Sequence, residues 1–223
     1  FPNVLPLLGA TDAARAGMGG MFFDHTGQGY YWRFPFPDDI QAALISTRNP
    51  TGHVTNSDLE QAAILGQLDV MAHSHTVRYA TLETFCDNTP AVSCTRKGAV
   101  SAIGPASYLC QIASDHQRLH RYHHSATYLP GPQNVVADDA SRLQALSHPA
   151  FHSHLEQNYP LPQPWRRLTL RPEMASVLTS ALRCKPQTPL SSPRLASPAL
   201  PPSSLGPSSV HPSVMDQPSV TSQ

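Results

Sequence analysis

LLGATDAARAGMGGMFF, residues 7–23, predicts two β-strands separated by a glycine-rich bend. The first strand is expected over Leu7–Ala13 and the second over Gly20–Phe23. The glycines of the bend let the backbone turn sharply just after Asp12. A third strand, Tyr30–Phe34, follows a second turn, so the chain is expected to open with three antiparallel strands.

The chain after these strands alternates helices and strands. Apolar positions spaced three and four apart predict helices, and short apolar runs bounded by turn residues predict strands. The expected elements are a helix from about Asp58 to Met71, a strand over Thr81–Cys86, a helix from Thr89, a helix from about Pro105 to Tyr122, a strand over Ala126–Leu129 and a last helix capped by Asn134. This order predicts an α/β fold with a mixed five-stranded sheet flanked by helices, in which acids at strand ends and helix starts meet at one edge.

The composition limits the classes of function. The chain has 223 residues, 40% of them hydrophobic, which suffices for one core, and its formal net charge is zero. A polyanionic partner would therefore need local clusters of basic residues. The four cysteines show no metal-binding or disulfide spacing, which predicts reduced thiols in an intracellular protein. No apolar run approaches the roughly 18 residues that span a bilayer, so no membrane is expected as a partner.

Composition also changes along the chain. Residues 148–185 hold a short apolar and basic segment, which we interpret as a partly helical linker after the domain. From Pro186 to Gln223, nine prolines and ten serines make up half of the residues, so this tail is expected to be disordered. The sequence begins at Phe1 and enters a strand pattern almost at once, which hints at a piece of a longer polypeptide.

Four acidic residues stand in short contexts that suggest a shared site. They are Asp12 in Thr11-Asp12-Ala13-Ala14, Glu60 in Ser57-Asp58-Leu59-Glu60, Asp87 in Cys86-Asp87-Asn88-Thr89, and Asp138 in Ala137-Asp138-Asp139-Ala140. Two carboxylates about 4 Å apart repel by about 4 kcal/mol at an effective dielectric of about 20, unless a divalent cation lies between them. Mg²⁺ and Mn²⁺ take oxygen ligands and keep positions open for water and phosphate. If the four acids converge, the sequence predicts a metal-dependent nuclease.

The order and contexts of these acids resemble the ribonuclease H domain of retrotransposon polyproteins, in the long-terminal-repeat and DIRS-like classes. The similarity runs from about Ala10 to Leu146. It rests on Thr11-Asp12-Ala13 followed by Gly17 and Gly19, on Asp87-Asn88, and on Gly131-x-x-Asn134-x-x-Ala137-Asp138-x-x-Ser141-Arg142. These pieces occur in the family's order, with fitting secondary structure predicted between them.

The resemblance implies a ribonuclease H-like domain over residues 1–147 that cleaves the RNA strand of RNA–DNA hybrids during reverse transcription. The implied catalytic, metal-binding carboxylates are Asp12, Glu60, Asp87 and Asp138, with Asp139 in place of Asp138 if the register is shifted. Two Mg²⁺ or Mn²⁺ ions about 3.5–4 Å apart would be bridged by Asp12, with Glu60 and Asp87 on one and Asp138 on the other. The implied partners are a preceding reverse transcriptase domain and a following integrase or recombinase, in the cytoplasm, the nucleus or a virus-like particle.

Departures from the family pattern keep other interpretations open. Cellular ribonucleases H carry a loop histidine before the last acid, whereas this chain has Pro130-Gly131-Pro132-Gln133. The main alternative is therefore a decayed or domesticated remnant that binds nucleic acid or acts as a scaffold without cleaving. A third hypothesis is transposase or integrase chemistry on the same fold, where the last acid is a glutamate on a late helix. Glu60 on the first long helix fits ribonuclease H better.

Several of these residues also have purely structural explanations. Glu60 could complete a capping box with Ser57, Asp12 and Asp87 could be turn residues, and Asp138 could be an acid favoured by the helix dipole. His116, His120 and His124 lie four apart, so a continued helix would align them as a cationic stripe that could track phosphates. The same histidines could also lie on a solvated helix face or bind zinc.

Overall fold

A computed structural model describes residues 6–99 and 104–185, so the tail expected over 186–223 lies outside the described residues. Six strands in the described part form one mixed sheet. They are β1 (Leu7–Ala14), β2 (Gly17–Phe23), β3 (Gly29–Pro35), β4 (Thr81–Cys86), β5 (His123–Tyr128) and β6 (Arg166–Arg167). Their order across the sheet is β5-β4-β1-β2-β3-β6. β2 is antiparallel to β1 and β3, β4 is parallel to β1 and β5, and β6 is parallel to β3.

Seven α-helices of the described ranges accompany the sheet. They are α1 (Asp38–Ala43), α2 (Asn56–Ser74), α3 (Thr89–Lys97), α4 (Pro105–His120), α5 (Val135–Arg142), α6 (His148–Asn158) and α7 (Pro172–Leu182). The predicted α/β class and the mixed sheet flanked by helices are confirmed. All five expected strands occur, and the sixth is a two-residue strand too short to stand out in the sequence. None of these seven helices is long and apolar enough to cross a membrane.

An apolar layer covers each face of the sheet, because side chains alternate between the two faces along a strand. In β3, Tyr30 packs into the larger layer with α2, α4 and α7, whereas its neighbour Tyr31 packs into the smaller layer with α5 and α6. Trp32 lies in the larger layer against Gly66 of α2, where an added Cβ would be 2.6 Å from the indole ring. The glycine therefore lets α2 lie close against the sheet.

The first turn of α2 decides between the interpretations of Glu60. Thr55 is the N-cap, and its Oγ1 accepts a hydrogen bond from the Asp58 backbone N–H at 3.2 Å. In return, Asp58 Oδ2 accepts from the Thr55 backbone N–H at 2.7 Å. This reciprocal capping box uses Asp58, so the alternative in which Glu60 pairs with Ser57 is wrong. Glu60 is only 1% exposed, and its carboxyl group serves no cap.

Residues 148–185, expected as a partly helical linker, contain two helices that both pack into the domain. Phe151 of α6 is fully buried in the smaller layer, and Leu178 of α7 is fully buried in the larger one. Arg171, just before α7, donates two hydrogen bonds of 2.6 and 3.2 Å to the buried carboxylate of Asp69 in α2. The folded domain therefore extends past residue 147 and through α7, which differs from the expected boundary.

The histidine stripe that a continued helix would align does not form. α4 ends at His120, where Arg121 adopts a left-handed backbone conformation with φ of 56°, and the chain then enters β5. His116 is fully buried. Burial lowers the pKa of both His120 and His124 to about 4, so both side chains are neutral near pH 7. The alternative in which these three histidines form a cationic stripe is therefore wrong.

Truncation of a buried side chain in α7 should destabilise the whole domain. Leu178→Ala removes a fully buried side chain from the larger layer, and we expect the free energy of unfolding to fall by about 2–4 kcal/mol. Urea unfolding followed by circular dichroism measures this change. The control is Ser176→Ala, at an exposed position of the same helix, which should change it by less than about 0.5 kcal/mol. If both variants lowered the free energy of unfolding by the same small amount, α7 would lie outside the cooperatively folding unit.

Candidate metal centre

Two of the predicted acids lie at one edge of the sheet. Asp12 is near the carboxyl end of β1, and Asp87 directly follows the last residue of β4. β1 and β4 are parallel neighbours, so their carboxyl ends lie at the same edge. Asp12 is 2% exposed, whereas Asp87 is partly buried. The interpretation of Asp12 as a turn residue at the strand end is wrong, because β1 continues to Ala14.

The helix α2 brings Glu60 to the same edge. Its Oε2 accepts a weak hydrogen bond from the thiol of Cys86, with the sulfur 3.7 Å away. Cys86 is the last residue of β4 and Asp87 the next residue in the chain. One potential ligand atom from each of Glu60, Cys86 and Asp87 lies within 4.8 Å of the other two. The acids of α2 and of the β4 end are therefore neighbours in space.

The helix α5 brings the fourth acid over the sheet, because it packs on a strand surface that lacks a side chain. Gly19 in β2 pairs directly with Asp12 in β1. An added Cβ at Gly19 would lie 2.7 Å from the Cβ of Ala140 in α5, so only glycine allows this approach. Asp138 lies in the first turn of α5, near enough to Asp12 for its charge to act on that carboxyl group.

Two hydrogen bonds tie α5 to β1. Asn134 Nδ2 donates to the Thr11 carbonyl at 2.9 Å, and Ser141 Oγ donates to Asp12 Oδ2. Asn134 is the N-cap residue of α5, as predicted, but its side chain makes no cap hydrogen bond. It serves instead as a tether to the neighbouring strand. Ser141 fixes one carboxylate oxygen of Asp12.

The adjacent Asp138 and Asp139 have different surroundings. Asp139 Oδ2 accepts a hydrogen bond from the Tyr159 hydroxyl at 2.8 Å and lies 2.7 Å from His154 Nε2. Both partners belong to α6 or directly follow it. The charge of Asp138, by contrast, acts on Asp12 and raises its pKa. Asp138 is therefore the aspartate that faces the other acids, and Asp139 joins α5 to α6.

Burial and mutual repulsion raise the pKa values of three of the acids. Burial, opposed by the Ser141 hydrogen bond and reinforced by the charges of Asp87 and Asp138, raises the pKa of Asp12 to about 6. Burial and the charges of Asp12 and Asp87 raise the pKa of Glu60 well above its ordinary value. Burial, followed by the charge of Asp138, also raises the pKa of Asp87. The four carboxylates thus interact as one group.

This group of acids fits a hard divalent cation. Carboxylate oxygens are the ligands that Mg²⁺ and Mn²⁺ prefer, and a cation among them would offset the repulsion that, after burial, raises the pKa values of Asp12, Glu60 and Asp87. Arg142 Nε lies 2.5 Å from Asp138 Oδ1, but this pair is largely exposed and one guanidinium cannot balance four carboxylates. Beside Asp87, an added Cβ at Gly131 would be 3.0 Å from Oδ2, so glycine leaves that oxygen accessible.

The thiol of Cys86 is a poor ligand for such a cation. Burial, together with the charge of Glu60, raises the pKa of this thiol, so it stays protonated and donates to Glu60. Sequence reasoning did not place Cys86, Ser141 or the Asn134 tether in the site. The partners of Ser141 and Asn134 lie 129 and 123 residues away in the sequence, so local periodicity carries no signal for these contacts.

Comparisons with known proteins find similar structures but no matching family. No protein-family model and no curated protein matches the sequence. The chain is similar to ribonuclease H1 from the halophilic archaeon Halobacterium salinarum NRC-1, with 16% identity and a TM-score of 0.42 over 60% of this chain and 93% of that one. It is similar to LC11 ribonuclease H1 in complex with an RNA/DNA hybrid, with 17% identity and a TM-score of 0.44 over 63% of this chain and 99% of that one. It is also similar to the N-terminal ribonuclease H domain of a Mycobacterium tuberculosis protein, fused to maltose-binding protein. The identity there is 10% and the TM-score 0.40, over 68% of this chain and 97% of that one. Identities and TM-scores this low assign neither a family nor a function.

The raised pKa of Asp12 predicts how stability depends on pH. The pKa is 3.8 ordinarily and about 6 in the fold, so the folded chain binds this proton more tightly than the unfolded chain. Protonation of Asp12 therefore stabilises the folded state. This contribution is complete below pH 3.8 and is lost as the pH rises through about 6. Asparagine does not titrate. In EDTA, we therefore expect the unfolding free energy of Asp12→Asn minus that of the wild type to increase by about 2–3 kcal/mol as the pH rises from 4 to 7. Urea unfolding at each pH measures this.

The comparison isolates the acid cluster, because the buried His120 and His124 titrate equally in both proteins. Added Mn²⁺ at pH 7 should raise the thermal midpoint of the wild type and have much less effect on Asp12→Asn. A stability difference between the two proteins that does not change with pH would contradict the electrostatic description of the site.

The close approach at Gly19 can be tested by adding one methyl group. Gly19→Ala would place a Cβ 2.7 Å from Ala140 and push α5 away from the sheet, with an expected loss of about 1–3 kcal/mol in unfolding free energy. Gly104→Ala is the control, because an added Cβ there meets nothing within 4 Å. Chemical denaturation compares the two variants, and equal stability would show that α5 does not depend on this contact.

Proposed function

We propose that this chain is a metal-dependent nuclease of the ribonuclease H type that hydrolyses the RNA strand of RNA–DNA hybrids. The observation that carries the proposal is the convergence of four acids from four separate elements on one edge of the sheet. These acids are Asp12, Glu60, Asp87 and Asp138, and burial together with the charges of neighbouring acids raises the pKa values of Asp12, Glu60 and Asp87. Acids that only served caps and turns would not be collected in this way.

In this proposal, the four carboxylates hold Mg²⁺ or Mn²⁺, two ions in the full scheme. Asp12 is the central ligand, because the charges of both Asp87 and Asp138 act on it and its own charge acts on Glu60. When bound, the metal supplies a water of lowered pKa and stabilises negative charge on the departing oxygen. Asp139 is not included, since its Oδ2 is engaged by Tyr159 and His154.

The chain's own residues keep these ligands oriented. Ser141 donates to one oxygen of Asp12 and leaves the other oxygen for a ligand role. The Cys86 thiol donates to Oε2 of Glu60. Asp12 and Glu60 are both nearly inaccessible to solvent, and low local polarity strengthens their attraction for a cation. These contacts would hold the carboxylates in place before a substrate arrives.

The biological substrate, the neighbouring domains and the compartment are proposed from the resemblance to retrotransposon polyproteins. The substrate would be the hybrid formed during reverse transcription, and the choice of RNA for cleavage would require contact with its 2′-hydroxyl. A reverse transcriptase domain would precede this domain in the polyprotein, and an integrase or recombinase would follow it. The protein would then act inside the cell, in the cytoplasm, the nucleus or a virus-like particle.

A second candidate function is that of a remnant which binds nucleic acid, or acts as a scaffold, without cleaving it. One observation favours it: the connection from β5 to α5, Leu129–Asn134, contains no titratable side chain. The histidine that many ribonucleases H carry there has no counterpart in this loop. His154, which follows α5 in the chain, is engaged with Asp139, so it does not replace that histidine.

The first experiment is cleavage of a labelled RNA–DNA hybrid in Mg²⁺ and in Mn²⁺. The wild type should cleave in a metal-dependent manner, and Asp12→Asn and Asp87→Asn should each lose at least about 10²–10³-fold in rate, because each removes a carboxylate from the metal site. Asp139→Asn is the matched control, since it makes the same chemical change one residue from Asp138 and should retain most of the activity. Duplex DNA should not be cleaved.

Circular dichroism and urea unfolding establish that each variant is folded before its rate is compared. Full activity of Asp87→Asn would contradict the metal-site assignment. Hybrid binding without turnover by the folded wild type, in both metals, would favour the remnant. Greater loss in Asp139→Asn than in Asp138→Asn would reverse the assignment of these two neighbours.

A further inference from the structure

Two cysteines on neighbouring helices contact each other through their thiols. Cys94 lies on α3 and Cys110 on α4, and these helices pack against each other and on α2. Cys94 Sγ donates to the Ala99 carbonyl at 3.8 Å, and its sulfur shares a second hydrogen bond with the Cys110 thiol. Cys110 Sγ also accepts a hydrogen bond from Gln61 Nε2 at 3.1 Å. The two sulfur atoms are therefore held side by side while both cysteines are free thiols.

The other two cysteines have different surroundings. Cys86 is fully buried, and its thiol donates to Glu60. Cys184 follows α7, where burial and the charge of Asp58 raise the pKa of its thiol. Neither thiol is hydrogen-bonded to another cysteine among the described residues. Cys94 and Cys110 are therefore the pair whose sulfur atoms are placed to react with each other.

A small cavity lies beside this pair. Its volume is about 40 Å³, and Cys110 lines it together with Thr95 and Gly98 at the end of α3 and His124 of β5. Thr95 Oγ1 and His124 Nε2 are buried, and neither atom has a hydrogen-bond partner among the described residues. Because buried polar atoms require such partners, the cavity suits a small molecule that donates and accepts hydrogen bonds. Hydrogen peroxide fits this volume, since one water molecule requires only about 10–15 Å³.

The electrostatics around Cys94 favour the reduced thiol at neutral pH. Burial and the neighbouring Cys110, reinforced by the charge of Asp58 and opposed by that of Lys97, raise the pKa of Cys94 to about 11. Burial lowers the pKa of His124 to about 4, so this imidazole does not titrate between pH 7 and pH 9. The thiolate is the nucleophile in thiol oxidation, so the reaction is slow near pH 7. Its rate should rise about tenfold for each pH unit below the pKa of the thiol.

We propose that a peroxide oxidises Cys94 and Cys110 to a disulfide that joins α3 to α4, and that thiol reductants reverse the reaction. In the first step, one thiolate attacks a peroxide oxygen, the O–O bond breaks, and a sulfenic acid and water form. In the second step, the other thiol attacks the sulfenic sulfur, the S–S bond forms, and a second water leaves with the thiol proton. The peroxide is reduced by two electrons and the two thiols are oxidised. This inference does not depend on the proposed nuclease function.

The disulfide would clamp the helix that leaves the acid edge of the sheet. α3 begins at Thr89, shortly after Asp87, and the side chain of its N-cap residue Asn88 accepts a hydrogen bond from the Ala91 backbone N–H at 2.9 Å. The new bond would tie the same helix to α4 through Cys94, nearer its other end. It would also close a loop of about 15 residues and so restrict the unfolded chain. Oxidation should therefore stabilise the fold.

The test is oxidation of the whole chain by hydrogen peroxide at pH 7 and pH 8, followed by mass spectrometry of tryptic peptides without reduction. The peptide that contains Cys94 should be cross-linked to the one that contains Cys110, with the loss of two hydrogens, and dithiothreitol should release both. Cross-linking should be about tenfold faster at pH 8 than at pH 7. The thermal midpoint of the oxidised chain should be about 5–10 °C above that of the reduced chain.

Variants assign the bond, because Cys86 and Cys94 fall in one tryptic peptide. Cys94→Ser and Cys110→Ser should each lose the cross-link and the shift in thermal midpoint, and Cys94→Ala repeats the first test with a second side chain. Cys184→Ser is the matched control, since it makes the same change at the other partly buried cysteine and should keep both effects. Circular dichroism of each reduced variant establishes that it is folded. A cross-link that persists in Cys94→Ser or disappears in Cys184→Ser would overturn the proposal, as would oxidation to sulfinic acid without a cross-link.

Discussion

Repulsion among four carboxylates is the constraint to which the rest of this structure responds. Asp12 and Glu60 are almost fully buried, and each lies within the electrostatic influence of other acids. Bringing such groups together without a cation costs stability, and the cost must be offset by packing elsewhere. The two apolar layers, one on each face of the sheet, supply that packing. The acid site is thus a locally unfavourable feature that a well-packed scaffold tolerates.

The scaffold approaches the site from both faces of the sheet. α2 belongs to the larger layer and carries Glu60, whereas α5 belongs to the smaller layer and carries Asp138. Asp12 lies between them on β1. The positions of the acids therefore depend on how closely each helix approaches the strands, which Gly66 and Gly19 determine. A shift in either layer would change the spacing of the carboxylates without altering any of them.

The sequence was most informative where local patterns determine structure. Strand alternation, helix periodicity and turn residues predict the order of the elements and the α/β class with its mixed sheet. It was least informative about contacts between distant segments. The reach of Asn134 to Thr11, of Ser141 to Asp12 and of Arg171 to Asp69 depends on tertiary packing. The stripe of His116, His120 and His124 was one alternative that required a helix continuing past Tyr122, and it fails because α4 ends at His120, before the left-handed residue Arg121.

The packing of residues 148–185 changes what counts as the unit of this fold. α6 covers Tyr31 and Ala140 on one face, and α7 contributes to the core on the other. A gene fragment that ended at residue 147 would encode all four acids, yet it would leave broad apolar surface open to water and prone to association. The segment that recombination could transfer intact is therefore longer than the segment that carries the chemistry.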